Sequence, residues 1–204
     1  MEQPDITHDF MNGEIVIIDK PLDWTSFDVV KRIRGVIMRK LKCRKLKVGH
    51  AGTLDPKASG LMILCTGKAT KRIEEFQAFE KEYIARVKVG AVTPSYDLES
   101  EESEFYPTEH INEDLLSSVL SSFVGEIEQI PPVFSAIKVN GVRSFDLARK
   151  GKDVELQSRK VIISEIELLS VEWPFFEIKV VCSKGTYIRS LARDIGVALN
   201  SGAY

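Results

Sequence analysis

The sequence predicts an α+β fold with a mixed, largely antiparallel sheet flanked by helices. Two observations carry this prediction. Segments with the apolar pattern of strands interleave irregularly with segments whose apolar residues recur at helical spacing. Hairpin signals also outnumber strand–helix–strand units, which favours antiparallel pairing. With 204 residues, 44% of them hydrophobic, the chain is long enough for one domain with a substantial core.

The first part of the chain predicts two strands and two helices. The run IVIID is a strand, and Thr25 or Ser26 caps a helix that begins near Phe27 and continues into a basic segment. The continuous apolar run LMILC predicts a buried strand. Thr70 then caps a short helix, KRIEEFQAF.

The rest of the chain predicts more strands and two longer helices. The alternating run KEYIARVKV is a half-buried strand with Tyr83 on its inward face. After a long polar connection, INEDLLSSVLSSFVGEI is an amphipathic helix with Gly125 near its end. A strand at 134–139 meets a hairpin turn at Asn140-Gly141, and FDLARKG is a helical turn. The runs VIISEIELLSVEW and FFEIKVVCS are strands, and GTYIRSLARDIGVALN is a helix capped by Thr186.

Charge is distributed unevenly along a chain whose formal net charge is −2. Residues 31–47 contain nine Lys or Arg and no acid, whereas residues 97–114 contain eight Asp or Glu. A concentrated basic segment can bind phosphates even when the total charge is negative. The alternative is an ordinary solvated helix face.

Several classes of protein do not fit the composition. No apolar run approaches the roughly 18 residues of a membrane span, and MEQPDITHDFMNGE lacks the basic and apolar regions of a signal peptide. We therefore expect a cytoplasmic protein. The three Cys and three His form neither a CxxC motif nor a cluster, so we expect no disulfide framework and no zinc site. The glycine-rich nucleotide motifs G-x-x-x-x-G-K-[ST] and G-x-G-x-x-G are missing, and no cofactor is expected.

The stretch GHAGTLDPKASG isolates one carboxylate, because Asp55 is the only acid between Asp28 and Glu74. Its glycines permit unusual backbone conformations, and Pro56 biases Asp55 away from the helical region. A carboxylate held in this way can act as a nucleophile, a general base or a metal ligand. The alternative is a simple Asp-Pro turn.

Two further segments could carry chemistry. In SKGTYIRSL, Arg189 lies at a helix N-terminus, which is unfavourable against the helix dipole, so it requires a carboxylate or phosphate partner unless it is simply exposed. Ser135 and Lys138 have the S-x-x-K spacing of serine acyl-transferases. The companion motifs S-D-N and K-T-G are missing, which disfavours that reading.

Taken together, these segments resemble the TruB family of pseudouridine synthases, which act on uridine 55 of tRNA. The resemblance runs in order from GEIVIIDKPLDWTSFDVV through VGHAGTLDPKASGLMILCTGKATK, KEYIARVKVGAVTPSYD and IPPVFSAIKVNGVRSFDLARKG to CSKGTYIRSLARDIGVAL. It implies a pseudouridine synthase catalytic fold over 1–204, with an RNA-binding insertion around 130–158. Phe145 stands where the family usually has tyrosine. The chain also ends before the usual L-x-x-L-R-R-T stretch, so we expect a C-terminally shortened member that lacks the small C-terminal RNA-binding domain.

The resemblance implies that a uridine in the T arm of tRNA is flipped out and isomerised to pseudouridine without a cofactor or metal. The expected partner is the T-arm stem-loop of tRNA, with no membrane involved, and the expected state is a monomer. Two alternatives stay open. One is an RNA-binding or tRNA-folding module with little turnover, and the other is a synthase of the same fold that acts on another RNA.

The resemblance also assigns roles to individual residues. Asp55 matches the catalytic aspartate, and Tyr83 the tyrosine that contacts the target base. Tyr187 and Arg189 match the GTYIR pair, in which the arginine looks like the salt-bridge partner of the aspartate. His50 matches a loop histidine near the displaced nucleotide. Candidates for RNA contacts are Lys20 of the Lys-Pro motif and the basic residues Arg39, Lys40, Lys42, Arg44, Lys45, Lys138, Arg143, Arg149 and Lys150.

Overall fold

The computed structural model describes residues 8–135, 137–139, 141–149, 151 and 154–204. Helices and antiparallel sheets both contribute, which confirms the α+β class. All strand pairs among the described residues are antiparallel, so the parallel part of the expected mixed sheet is not found there. Two compact units divide the chain, Met1–Phe79 and Glu80–Tyr204. The single catalytic domain over 1–204 stays a prediction.

The first unit contains a three-stranded sheet and one long helix. Strands β1 (Ile15–Lys20), β2 (Val48–His50) and β3 (Gly60–Thr66) pair in the order β1-β3-β2. Helix α1 (Ser26–Lys40) begins at the capping box that Thr25 and Asp28 form. A 3₁₀ helix (Gly67–Arg72) and helix α2 (Ile73–Gln77) follow β3.

Two details of this unit differ from the sequence prediction. Thr70 does not cap a helix, because it lies within the 3₁₀ helix and its hydroxyl donates to the Gly67 carbonyl at 2.8 Å. Strand β2 was not predicted, because its three residues are too few to show an alternating pattern. The core of the unit lies between α1 and the sheet, and it contains Val29, Val30, Met62 and Leu64.

The second unit is built on a four-stranded sheet. Strands β4 (Lys81–Lys88), β7 (Gly125–Gln129), β10 (Arg159–Glu172) and β11 (Phe175–Cys182) pair in the order β4-β11-β10-β7. Two short hairpins are added, β5 (Ala91–Val92) with β6 (Glu104–Phe105) and β8 (Lys138–Val139) with β9 (Val142–Arg143). The helices are α3 (Glu113–Ser122), α4 (Ser144–Ala148) and α5 (Ile188–Ala198).

The main strands and helices of this unit agree with the prediction, and three details do not. Gly125 begins β7 instead of ending α3. The strand expected at 134–139 is limited to β8, and Asn140 of the predicted hairpin turn lies outside the described residues. Thr186 does not cap α5, because its hydroxyl donates to the Ser183 carbonyl at 3.0 Å and Tyr187 occupies the cap position.

Apolar side chains of the sheet, α3 and α5 form the core of the second unit. Fully or almost fully buried members include Leu116, Leu120, Phe176, Ile178, Leu191 and Ile195. None of the helices in the described part of the chain has the length and apolarity of a membrane span.

Candidate active site

The loop that carries Asp55 is attached to the start of α1. Ser26, which is buried there, donates its hydroxyl to the Leu54 carbonyl and accepts from the Leu54 amide, both at 2.9 Å. The Ala58 amide donates to the Asp55 carbonyl at 3.1 Å and closes the Asp-Pro turn. The expected Asp-Pro turn is therefore present. The half-buried Asp55 carboxylate lies on a loop whose backbone is hydrogen-bonded to Ser26 at the start of α1.

Lys20 lies fully buried beside this loop. Its ammonium donates to the carbonyls of Pro21 at 2.9 Å and Trp24 at 2.6 Å, with Pro56 at 3.4 Å. Burial lowers the pKa of Lys20, while the charges of Asp55 and Asp23 act in the opposite direction. The expected RNA contact of Lys20 does not agree with this position, because a fully buried ammonium cannot reach a phosphate on the surface. Lys20 is instead a buried cation that supports the Asp55 loop.

Further hydrogen bonds hold both ends of the Asp55 loop. At the start, His50 ends β2, and its Nδ1 lies 2.7 Å from the Gly52 carbonyl oxygen. After the Asp-Pro turn, the Asp23 amide donates to the Pro56 carbonyl at 2.8 Å, and Lys57 Nζ donates to Asp23 Oδ1 at 2.7 Å. These hydrogen bonds restrict the backbone of the loop although it contains several glycines. The role of His50 near the displaced nucleotide stays a prediction.

Arg189 lies in the first turn of α5 and has several partners within the second unit. Its Nη1 donates to the Ser95 carbonyl at 3.0 Å, and its Nη2 to the Phe134 carbonyl at 3.1 Å. Asp97 Oδ2 lies 3.4 Å from Nη1, and the two side chains are only 13% and 12% exposed. The requirement for a carboxylate partner is thus confirmed in Asp97. The pairing of Arg189 with Asp55 stays a prediction.

Sequence reasoning missed Asp97, because it was counted among the acids of the 97–114 segment. Its carboxylate accepts from the Ser95 hydroxyl at 2.5 Å and from the Glu99 amide at 2.9 Å, and its carbonyl accepts from the Thr93 hydroxyl at 2.9 Å. The stretch TPSYD did contain a signal, since Thr, Ser and Asp together favour side-chain-to-backbone turns. Asp97 therefore belongs to a folded loop beside Arg189.

Tyr187 is fixed by both its backbone and its ring. Gln129, fully buried at the end of β7, accepts from the Tyr187 amide at 2.8 Å and donates to the Tyr187 carbonyl at 3.1 Å. The Arg159 guanidinium lies 4.8 Å from the centre of the Tyr187 ring and also donates to the Gly185 carbonyl. Neither Gln129 nor Arg159 was predicted to support the site. No sequence pattern indicates that the Gln129 amide is buried.

Tyr83 lies near the start of β4, opposite Val180 on β11. It is half-buried and packs against the apolar core of the second unit, which confirms the predicted inward face. Its contact with the target base stays a prediction.

The other expected phosphate-binding residues are exposed wherever the structure describes them. One group lies at the end of α1 and just after it, and consists of Arg39, Lys40, Lys42, Arg44 and Lys45. The other group surrounds the β8–β9 hairpin and α4, and consists of Lys138, Arg143 and Arg149. Lys150 lies outside the described residues.

Phe145 supports two of the exposed arginines. The guanidinium groups of Arg143 and Arg149 lie 5.8 and 5.4 Å from the centre of its ring. An aromatic face attracts cations, so this ring holds two guanidinium groups near each other without a hydroxyl.

The geometry does not favour an acyl-transferase based on Ser135 and Lys138. Ser135 is buried, and its hydroxyl has no hydrogen-bond partner among the described residues, whereas Lys138 is exposed. A serine nucleophile requires a base within hydrogen-bond reach. The pair Ser135 and Lys138 is therefore not supported as a nucleophile and its base.

Comparison with known proteins decides the family. The model of the TruB family pseudouridylate synthases (N terminal domain) matches residues 39–188, which include Asp55, Tyr83 and Tyr187. The chain belongs to the TruB family of pseudouridylate synthases. Among TruB relatives, tRNA pseudouridine synthase B of Phocaeicola vulgatus is 65% identical over 195 residues, covering 96% of this chain and 83% of the relative. The enzyme of the same name from Flavobacterium johnsoniae is 50% identical over 197 residues, covering 96% and 86%.

Solved structures give the same fold at lower identity. A chain of a Cbf5–Nop10–Gar1 complex superposes with a TM-score of 0.68 at 31% identity. A chain of an H/ACA RNP bound to a substrate RNA containing 2′-deoxyuridine superposes with a TM-score of 0.64 at 29% identity. Each match covers 96% of the TruB chain described here, which spans 46% and 45% of the two solved chains.

Proposed function

We propose that this protein is a tRNA pseudouridine synthase that isomerises uridine 55 in the T arm of tRNA. The observation that carries the proposal is the GHAGTLDP loop, in which Ser26 and Lys20 fix the backbone around a lone carboxylate, Asp55. Family membership and the relatives named tRNA pseudouridine synthase B support the same reaction.

The proposed reaction needs one carboxylate and no net change in composition. The bond between ribose C1′ and uracil N1 breaks, the base rotates, and C1′ bonds to carbon 5. Carbon 5 then loses its proton to solvent and N1 gains one. Asp55 serves either as a nucleophile that attacks the nucleotide or as a base that removes the 2′ proton of the ribose. Both routes require the carboxylate to be ionised.

The nearby charges suit an ionised carboxylate. Lys20 supplies a buried positive charge that interacts with Asp55. A cation close to a carboxylate favours its charged form. The family resemblance implies a second cation, Arg189, which Asp97 and two carbonyls orient within the second unit. Tyr83 offers a flat face for the uracil.

The substrate must also be distorted before it reacts. The target base has to leave its stack, which costs a few kcal/mol. Contacts between exposed basic side chains and phosphates can offset this cost. Arg143 and Arg149, held over Phe145, are suited to that role.

The direct test follows the hydrogen at carbon 5. A T-arm stem-loop transcript labelled with tritium at uracil carbon 5 is incubated with the protein, and the release of tritium into water is counted. We expect release with the wild-type protein and none with Asp55→Asn or Asp55→Ala. Asp19→Asn is the matched control, because Asp19 is an exposed acid of the same unit, and it should react normally. Release that persists in Asp55→Asn would contradict the proposal.

The same assay separates the two alternatives. Tight binding of the stem-loop without tritium release from wild-type protein would indicate an RNA-binding or tRNA-folding module. Release from an unrelated RNA, but not from the T arm, would indicate a synthase for another substrate. The tRNA substrate is favoured because the relatives that carry its name are 50% and 65% identical, against 31% for the Cbf5 chain.

Location and oligomeric state are part of the proposal. A tRNA-modifying enzyme of bacteria such as these relatives acts where tRNA is, in the cytoplasm. The proposed oligomeric state is a monomer. Light scattering during gel filtration, with and without tRNA, tests the monomer.

A further inference from the structure

A groove of about 770 Å³ follows the exposed side of α1 in the first unit. It lies outside the Asp55 loop, and two of the residues that line it, Arg39 and Lys42, are among the expected RNA contacts. Ten residues line it, among them the aromatic Trp24, the small Gly35 and the cations Lys31, Arg32, Arg39 and Lys42.

The acids of the groove are engaged locally. Asp23 accepts from Lys57 Nζ at 2.7 Å. Asp28 accepts from the Thr25 hydroxyl at 2.5 Å and from the Thr25 amide at 3.1 Å within the capping box. Both carboxylates therefore have partners before any ligand arrives.

The cations of the groove, in contrast, face solvent. Lys31, Arg32, Arg39 and Lys42 are exposed, and within the described ranges none of them forms a salt bridge. The groove thus presents positive charge that is complementary to phosphate.

The groove also contains the aromatic side chain of Trp24 and a gap in the helix surface at Gly35, called the notch below. Trp24 is 40% exposed, and Lys20 holds its backbone carbonyl at 2.6 Å. At Gly35, a Cβ atom would meet no heavy atom within 4 Å, so the helix has free space there. An indole face next to cations suits an unstacked base, because every base has a π-face. The notch lets a ligand approach the helix backbone.

The groove begins next to the Asp55 loop. Asp23, at its end, is bound to Pro56 through its amide at 2.8 Å and to Lys57 through its carboxylate. From there the 15 residues of α1 extend for about 22 Å. A strand that enters the catalytic loop can therefore continue along the helix for several nucleotides.

We propose that this groove binds the RNA strand that flanks the target uridine. One unstacked base lies against Trp24, and the phosphates contact Lys31, Arg32, Arg39 and Lys42. The inference rests on the proposed function for the identity of the RNA, and it adds a nucleotide-binding site outside the catalytic loop.

Tryptophan fluorescence tests the stacked base. The chain has two tryptophans, so Trp173→Phe leaves Trp24 as the sole emitter. Asp55→Asn is added to prevent turnover, and labelled T-arm RNA reports binding independently by anisotropy. We expect quenching of Trp24 that saturates together with the anisotropy. Binding that leaves the Trp24 emission unchanged would overturn the stacked base.

Salt dependence tests the phosphate contacts. Each lost contact with a single strand lowers the slope of log affinity against log salt by about 0.7. We expect Arg32→Gln with Arg39→Gln to lower the slope by about 1.4. The matched control is Lys68→Gln with Lys71→Gln, two exposed lysines of the same unit outside the groove, and it should retain the wild-type slope. Equal slopes for the two double variants would overturn the phosphate contacts.

Substitutions at Gly35 test the position of the RNA. Gly35→Gln fills the notch and Gly35→Glu also adds a negative charge, whereas Gly35→Ala leaves most of the space. We expect Gly35→Ala to bind like wild type and Gly35→Glu to bind about tenfold more weakly, with Gly35→Gln between them. Equal affinities of the three variants would overturn the groove as a binding site.

The outcomes also distinguish this inference from the proposed function. Quenching of Trp24 without tritium release would support RNA binding in the groove and contradict the proposed synthase activity. Tritium release would support the proposed synthase activity. If Trp24 emission then does not change on RNA binding and the Gly35 substitutions have no effect, RNA binding in the groove is contradicted.

Discussion

Gln129 and Tyr187 are joined by two hydrogen bonds, one at 2.8 Å to the Tyr187 amide and one at 3.1 Å from the Gln129 side chain to the Tyr187 carbonyl. A fully buried primary amide thus binds both backbone polar groups of Tyr187, which occupies the N-cap position of α5. Arg159 covers the ring of the same tyrosine. The first turn of α5 carries Arg189, so the orientation of Tyr187 also affects the start of the helix that holds the arginine.

Gln129→Leu should lower kcat about tenfold and leave KM nearly unchanged. The substitution removes both hydrogen bonds and leaves the Tyr187 amide without its Gln129 partner, which costs about 1 to 3 kcal/mol, whereas the Tyr187 carbonyl still accepts from the Leu191 amide at 3.0 Å. A small displacement of a catalytic group then slows the reaction more than it weakens binding. Single-turnover tritium release at several RNA concentrations measures kcat and KM separately.

The control for this prediction is Ser190→Ala. Ser190 donates to the Ile130 carbonyl at 2.8 Å and links α5 to the same region of the chain without holding Tyr187. If Gln129 acts only on stability, the two variants will show equal kcat at a temperature where both are folded.

Asp97→Asn should lower kcat about a hundredfold, because it removes the carboxylate charge that lies 3.4 Å from Arg189 Nη1. Asparagine retains an oxygen that can accept from Ser95 and Glu99, so the loop should stay folded. A hundredfold change corresponds to about 2.7 kcal/mol, within the range of a charge-assisted hydrogen bond. Single-turnover rates and thermal unfolding are measured together. Glu101→Gln, an exposed acid of the same segment, should have no effect on either. A normal rate in Asp97→Asn would show that the charge is dispensable.

Ser26→Ala should impair catalysis more than its effect on stability suggests. It removes both contacts that hold Leu54, the residue before Asp55, and the expected loss of stability is about 1 to 3 kcal/mol. Thr25→Ala is the matched control, because it removes the cap of the same helix at a cost of about 1 kcal/mol and does not contact Leu54. Urea unfolding gives the stability of each variant. We expect a rate loss of about tenfold for Ser26→Ala only.

The elements that the sequence predicted well are those with long periodic patterns. The strands that contain Tyr83 and IVIID, and the helices α1 and α5, all have repeats that persist over several residues. The errors lie where the pattern is short or where a polar side chain has two possible partners. Thr70 and Thr186 both fit a cap by residue type, and in each case the hydroxyl instead donates to a carbonyl three residues earlier.

For the candidate site, the sequence pattern points to Asp55 as a candidate but does not indicate the residues that hold its loop. Lys20 was expected to contact RNA, because it matches the Lys-Pro motif of the family, although lysine is rarely buried. Its burial depends on three carbonyls brought together by the Lys-Pro turn, Trp24 and the Asp55 loop, and such a cage is not visible in a linear pattern. Asp97 was missed for a similar reason, because nothing in the sequence distinguishes it from the other acids of residues 97–114. Its contacts with Ser95, Glu99 and Arg189 exist only in the folded loop.

Lys20→Met should move the acid limb of the pH–rate profile to higher pH. Burial lowers the pKa of Lys20, and the negative charge of Asp55 acts in the opposite direction because the two charges attract each other. Without the ammonium, a carboxylate nearby is protonated more readily, so activity should be lost at a higher pH as acid is added. Methionine has a similar length and no charge. Single-turnover rates between pH 4.5 and 8 (about the range in which carboxylates and imidazoles titrate) measure the limb. The Asp19→Asn variant should retain the wild-type limb.

Glu102→Gln should remove part of the acid sensitivity of the fold. Glu102 lies 2.5 Å from Lys88 Nζ and accepts from the Tyr204 hydroxyl at 2.6 Å. These hydrogen bonds, that of Lys88 first, lower the pKa of Glu102 below its ordinary value. A group whose pKa is lower in the folded state stabilises the fold above its unfolded pKa, about 4.3 for glutamate, and this stabilisation is lost as the pH falls through the folded pKa. Urea unfolding at a series of pH values should therefore show wild-type protein more stable than Glu102→Gln near pH 7 (about neutral), with the difference shrinking in acid. A difference that stays constant with pH would mean that Glu102 acts through its shape and not through its charge.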